Sequence, residues 1–169
     1  TEALHAMTDI LIGGQPDRAS VPLSVQALSI ACQKRPKDKH VHHHLALVLR
    51  RLGDVPSSVN AFNQAFNLDP ADGQITANFI HTLKGLSDIE NALKVAQFAV
   101  ERGNENPVVF AQLGNLFIEK DEFDQAEPFL RRAIDDGKVP AAYGDLANVL
   151  WDRSDDEDDQ ANEDREEAV

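Results

Sequence analysis

The sequence predicts an all-α fold, a stack of antiparallel helix pairs, and three recurring series predict it. Leu11, Leu45, Phe79, Leu113 and Leu146 follow one another at intervals of 34, 34, 34 and 33 residues. Ala31, Ala65, Ala99 and Ala133 recur every 34 residues, and so do Ser24, Ser58, Ala92 and Ala126. Three series in one register, with no insertion over four units, mark an array in which each helix pair buries its apolar face on its neighbours.

The elements follow in order, about four to five repeats in all. Residues 1–36 read as a degenerate first repeat. Its second helix carries Val25, Leu28, Ala31 and Cys32. Its first helix has Thr8 and Gln15 where other repeats are mostly bulky and apolar, and Gly13-Gly14 cuts it short. A terminal repeat faces solvent on one side and is expected to depart from the pattern. Residues 37–70 form the clearest repeat. A first helix over Lys39–Arg51 places Leu45, Val48, Leu49 and Leu52 on one face. Gly53-Asp54 stops it, because Gly accepts a left-handed backbone at a helix end. Val55-Pro56-Ser57 opens the second helix, Pro being suited to a first turn whose N–H has no partner. Val59, Phe62, Ala65 and Phe66 form its stripe, and Asp69-Pro70 ends it.

Residues 71–106 repeat this with Phe79, Ile80 and Leu83, then Ser87-Asp88 as a capping pair, then Ile89, Ala92, Val95, Ala96, Ala99 and Val100. Residues 107–140 hold Phe110, Leu113, Gly114 and Phe117, then Phe123, Ala126, Phe129, Leu130, Ala133 and Ile134, with Asp121 or Asp124 expected to cap the second helix. Residues 141–152 supply the first helix of a fifth repeat, with Tyr143, Leu146, Ala147, Leu150 and Trp151. Ala46, Gly114 and Ala147 stand at equivalent places on first helices, where a small side chain lets two helices approach. Residues 153–164 form an acidic loop or tail. Asp164-Arg165-Glu166-Glu167-Ala168-Val169 resembles the opening of another second helix, so that 165–169 would begin a truncated one. With Thr1 in place of Met at the other end, a fragment of a longer protein is the favoured expectation.

Charge and composition remove several classes of function. The net charge of −13 opposes non-specific binding to nucleic acid and docking on anionic membranes. Asp152 to Val169 holds ten acidic and two basic residues, a net of −8, which leaves −5 for Thr1 to Trp151. No apolar run reaches the ~20 residues that span a bilayer. With Cys32 as the one cysteine, no intramolecular disulfide forms, which fits a reducing, cytoplasmic compartment. Phosphate-binding Gly loops, a Gly-x-Ser-x-Gly turn and a plausible Cys/His pair are all missing, so no enzyme activity and no cofactor are expected.

These residues resemble the tetratricopeptide repeat from about Glu2 to Trp151. The match is best in the fourth repeat, with Phe110, Leu113-Gly114, Phe117, Ala126, Leu130 and Ala133; the second has Leu45-Ala46, Leu49, Gly53, Phe62, Ala65 and Pro70. His42 and Thr76 stand where the family usually has an aromatic, and Asn104 and Lys138 where it has Pro. The resemblance implies a right-handed superhelical solenoid whose first helices line a concave groove for an extended peptide. The groove residues it implies are His40, His43, His44, Leu47, Arg50 and Arg51, then Asn78, His81 and Lys84, then Gln112 and Asn115, then Asp145 and Asn148. Asn and Gln amides can donate to and accept from a peptide backbone, and Arg50, Arg51 and Lys84 suit a carboxylate on the partner. The bland alternative is that each is ordinary solvated surface. The two-unit carboxylate clamp of the chaperone-binding members is not complete here.

His40, His42, His43 and His44 fall within five residues. His40 and His44 are one helical turn apart, a possible metal-ligand spacing, with His81 on the next repeat. A site needs three or four convergent ligands, and no Cys, Asp or Glu on these first helices completes one. The favoured reading has no metal: His42 fills the aromatic position and the others face the groove. A third reading makes the groove pH-sensitive. The function expected is therefore a protein-interaction scaffold or adaptor with an unidentified protein or peptide partner. Two alternatives stand beside it: the non-catalytic repeat region of a larger enzyme (a glycosyltransferase, sulfotransferase or hydroxylase), and an array that self-associates.

Overall fold

A side-chain cap recurs at the repeat interval. Asp38, Asp72 and Asn106 each precede a first helix and each accepts a hydrogen bond from the backbone N–H two residues on, from His40, Gln74 and Val108 respectively. Such caps satisfy donors that a helix start leaves unpaired. In the computed structural model, which describes residues 20–137 and 139–152, the described residues form eight helices. They are α1 (Ser20–Lys34), α2 (Lys39–Arg51), α3 (Val55–Leu68), α4 (Gly73–Lys84), α5 (Ile89–Glu101), α6 (Pro107–Ile118), α7 (Phe123–Gly137) and α8 (140–152). The degenerate first helix with Thr8, Leu11, Gly13-Gly14 and Gln15, and the readings of 153–164 and 165–169, lie outside the described residues.

The turn inside each repeat follows one rule. Gly53, Ser87 and Asp121, spaced at 34, all have positive φ, at 79°, 57° and 58°. Gly53 takes this conformation as expected. Ser87 takes it too instead of capping the next helix. Asp121 also takes it, and Asp124 sits in the first turn of α7. The chain must reverse between helices in three or four residues, and the left-handed residue makes the reversal.

The chain divides into two compact units, Thr1–Asp88 and Ile89–Val169. In the first, α1 packs on α2, α2 on α3 and α3 on α4. Phe62 of α3 is fully buried, with its ring stacked 5.9 Å from Phe79 of α4. Ser58 and Ala65 flank it at 0% exposure, and the Ser58 hydroxyl donates to the Ala46 carbonyl of α2 at 2.8 Å. A polar residue thus fills a close-approach position, because its hydroxyl has a carbonyl to meet. The two residues in the aromatic position are handled alike. His42 Nε2 donates to the Pro36 carbonyl at 3.0 Å, and Thr76 Oγ1 donates to the Pro70 carbonyl at 3.1 Å, each reaching six residues back to the preceding turn.

In the second unit α5 packs on α6 and α6 on α7. Phe110, Leu113, Leu116, Ala126, Leu130 and Ala133 are all at 0% exposure. Phe117 stacks on Phe129 at 5.8 Å, and Arg132 lies 4.1 Å over the Phe110 ring. Three apolar expectations change. Cys32 is half-buried rather than in a sealed stripe; Leu52 caps α2 at 45% exposure; Ala147 is exposed, so it is no point of close approach among the described residues.

Candidate functional site

The candidate residues lie on first helices, and the structure bonds several of them to one another. In the first unit, α2 and α4 supply nine. Leu47, Arg50, Asn78, Lys84 and His40 are half-buried, and Arg51 and His81 are exposed. His43 and His44 are buried, at 5% and 6% exposure, which corrects the expectation that they face outward. On a 13-residue helix packed against both α1 and α3, the polar arc is too narrow to hold both rings as well as His40, Leu47, Arg50 and Arg51.

His43 is enclosed on all sides. Its ring centroid is 5.9 Å from that of Phe62 and 5.9 Å from that of His44. Its Nε2 accepts from Nδ2 of Asn78 on α4 at 3.2 Å, an arrangement of the neutral ring. Burial pushes its pKa down from 6.5 to about 4. His44, His40 and Arg50 push the same way, against Asp72, which raises it. A second bond ties the same two helices near their C-terminal ends: Arg50 Nη1 donates to Thr82 Oγ1 at 3.2 Å, and Thr82 in turn donates to the Asn78 carbonyl at 2.7 Å. The Arg50 guanidinium also lies 5.8 Å from the Phe62 ring centroid. Thr82 escaped the sequence analysis. A buried Thr one turn beyond Asn78 has no sequence signature that sets it apart from core.

The last turns of α2 and α4 carry Arg50, Arg51, His81 and Lys84. The cations Arg50, Arg51 and Lys84 oppose the negative end of each helix dipole, and they make one end of this face basic on an otherwise acidic chain. At the opposite end Lys39 Nζ sits 2.6 Å from Asp69 Oδ2 and 2.7 Å from Asp72 Oδ2. Both hydrogen bonds raise the Lys39 pKa. The Asp72 carboxyl is pushed up by burial, but Lys39 and the Ile75 and Gln74 amides outweigh this and hold it below its usual value. That triad orients the start of α4.

In the second unit Gln112 and Asn115 of α6 and Asp145 of α8 are half-buried, and Asn148 is exposed. Asn115 Nδ2 donates to Asp145 Oδ2 at 3.2 Å, so two candidates from successive first helices are joined. Among the described residues no three His, Cys, Asp or Glu side chains are grouped to hold a metal, and no helix is long and apolar enough to cross a membrane.

Capped helix pairs in a 34-residue register, small residues at the crossings and a left-handed turn within each pair agree with a family model described as tetratricopeptide repeat, which matches residues 40–72 and 109–135. Those two segments are tetratricopeptide repeats. Solved structures share its fold at low sequence identity. YrrB, described as a tetratricopeptide-repeat protein with an unusual peptide-binding site, is 18% identical with a TM-score of 0.65, over 76% of this chain and 67% of that one. PilF of Pseudomonas aeruginosa is 18% identical with a TM-score of 0.70, over 91% and 70%. MamA is 13% identical with a TM-score of 0.66, over 90% and 84%. No curated protein is similar enough in sequence to match. The tetratricopeptide fold places this chain among all-α helical-repeat solenoids, and its repeats are those of a protein-interaction scaffold.

Proposed function

We propose that the first-helix face of the first unit binds an extended, acidic segment of a protein partner. The observation that carries this reading is the cross-linked pair of first helices. His43 to Asn78 and Arg50 to Thr82 hold α2 and α4 side by side, so the side chains around them are set before a partner arrives. A preorganised surface loses less entropy on binding. Arg50, Arg51 and Lys84 then present positive charge at one end of that surface, with the His81 ring beside them, where a carboxylate-bearing segment gains charge-assisted hydrogen bonds. His40 and Leu47 extend the face toward the other end. Gln112, Asn115, Asp145 and Asn148 form the equivalent polar face of the second unit. Here the Asn115–Asp145 bond leaves Asn148 as the most exposed amide. Peptide binding by a protein of similar fold, YrrB, fits the reading.

The test is selection of random extended dodecapeptides displayed on phage against the whole chain and against an Arg51→Glu/Lys84→Glu version. The reading expects enrichment of peptides rich in Asp and Glu on the parent chain and their loss on the variant. Equal recovery of the same sequences by both would defeat it.

A further inference from the structure

Two positions that hold stacked rings in one repeat lose both rings one period earlier. Phe66 of α3 and Phe79 of α4 are each 4% exposed, with ring centroids 5.9 Å apart. At 34 residues before them stand Cys32 of α1 and Leu45 of α2. A thiol and an isobutyl group fill much less volume than two phenyl rings, and protein interiors otherwise pack at near-crystal density. A cavity of about 540 Å³ lies there, between α1, α2 and α3 of the first unit.

Its apolar lining is Val25, Cys32, Leu45, Leu49 and Ala61. Val25 and Leu45 pack on the buried pair Leu28 and Val48, and Leu49 and Ala61 are themselves buried. Burial, and then Asp38, push the Cys32 pKa up, so the thiol stays protonated at neutral pH and acts as a small apolar group. The rim is polar. Asp54, Asn60 and Gln64 are exposed, and the His42 ring is fixed by its bond to the Pro36 carbonyl. Asp54 Oδ1 accepts from the Ser57 amide at 3.3 Å. Among the described residues that line the cavity Asp54 is the one carboxylate, with no Lys or Arg beside it.

We propose that this cavity binds a small aromatic ammonium compound, its ring against Cys32 and Leu45 and its cation on Asp54. The ring follows from the register, since Phe66 and Phe79 put rings at these same positions one repeat later. The cation follows from Asp54 and from the net charge of −13, which favours a cationic ligand over an anionic one. The volume falls within the range of small-molecule sites, roughly 300–1,000 Å³. No residue of the proposed peptide face lines the cavity, so the two sites are separate.

The probe is para-fluorobenzylammonium, titrated into the whole chain and followed by fluorine NMR. The proposal expects saturable broadening with a dissociation constant of about 1 mM or below, as suits a ligand of roughly nine heavy atoms. The anion para-fluorophenylacetate, the same ring with opposite charge, should bind at least roughly tenfold more weakly. N-acetylphenylalanine amide, which carries the ring as a protein side chain does, should not displace the probe. Cys32→Phe puts the ring of the next repeat into the cavity and should abolish binding with thermal unfolding unchanged or raised. Leu45→Phe blocks the same space and serves if the first variant does not fold. Asp54→Asn keeps a side chain suited to the helix start and should weaken binding roughly tenfold. Arg51→Glu/Lys84→Glu should leave the titration unchanged. No saturable binding, or binding indifferent to the ring variants, overturns the proposal. Equal affinity for para-fluorophenylacetate overturns it by removing the cation, and displacement by N-acetylphenylalanine amide overturns it by assigning the cavity to a partner's side chain.

Discussion

Leu130 closes over Gly114 so tightly that only hydrogen fits between them. A methyl group on Gly114 would stand 2.6 Å from Leu130 Cγ and 3.2 Å from the Ala126 carbonyl oxygen. Elsewhere in a helix, Gly→Ala stabilises by about 1 kcal/mol through backbone entropy. Here overpacking outweighs that gain, and Gly114→Ala should destabilise the chain by about 1–3 kcal/mol. Urea unfolding of Gly114→Ala, Leu130→Ala and the double variant checks it. The double variant should recover part of the clash, and a strictly additive cycle would show that the two do not press on each other.

The second helices carry the same restriction at Ala65 and Ala99, both at 0% exposure. Ala65→Leu and Ala99→Leu should each cost about 1–3 kcal/mol. Unchanged thermal midpoints in both would contradict the register of the repeats.

Ser87 and Asp121 occupy the left-handed position that Gly53 holds in the second repeat. A side chain is strained there by about 1 kcal/mol, while Gly is not. Ser87→Gly and Asp121→Gly should therefore be neutral to stabilising by up to about 1 kcal/mol, unlike nearly all other Gly substitutions in this fold. Gly53→Val should cost more than 1 kcal/mol, since a β-branched residue tolerates positive φ worst. Denaturant midpoints of the three variants rank them.

His43 makes stability depend on pH. Its pKa is 6.5 when unfolded and about 4 when folded. Between these values the unfolded chain binds more protons, so stability is full above pH 6.5 and falls as pH drops toward 4. The difference corresponds to roughly 3 kcal/mol. Burial is the main cause of the shift; His44, His40 and Arg50 add to it and Asp72 opposes it. Urea midpoints measured at pH 7 and pH 4.5 should differ more in the parent chain than in His43→Gln. An equal difference in both would place the titration elsewhere.

Lys39 holds two carboxylates at 2.6 and 2.7 Å. Lys39→Met should cost about 1–2 kcal/mol, the worth of hydrogen bonds to charged groups in a partly buried setting. It should also raise the Asp72 pKa, because the group that holds it down is gone. The stability that Asp72 contributes is present above its unfolded value of 3.8 and fades as pH falls through its lower folded value. A carboxyl-carbon NMR titration of Asp72 that is identical in both proteins would rule out this coupling.

Much of this was legible beforehand. The α2 boundaries, Lys39–Arg51, coincide with those the sequence predicts, because Gly53 and the apolar spacing both act locally. The polar residues were less legible. A polar residue at position 43, 44, 78 or 82 can turn outward or inward depending on how far the neighbouring helix reaches, and no local signal records that. His43 turns inward because Asn78, 35 residues on, supplies its partner.

The sequence by itself determined the helix pairs, their period and the small residues at their crossings. Each rests on spacing along one chain and on side-chain volume, which are properties of local sequence. Only the tertiary structure decided which polar residues are spent on one another. That depends on whether a second helix lies within hydrogen-bond distance, as α4 does for His43.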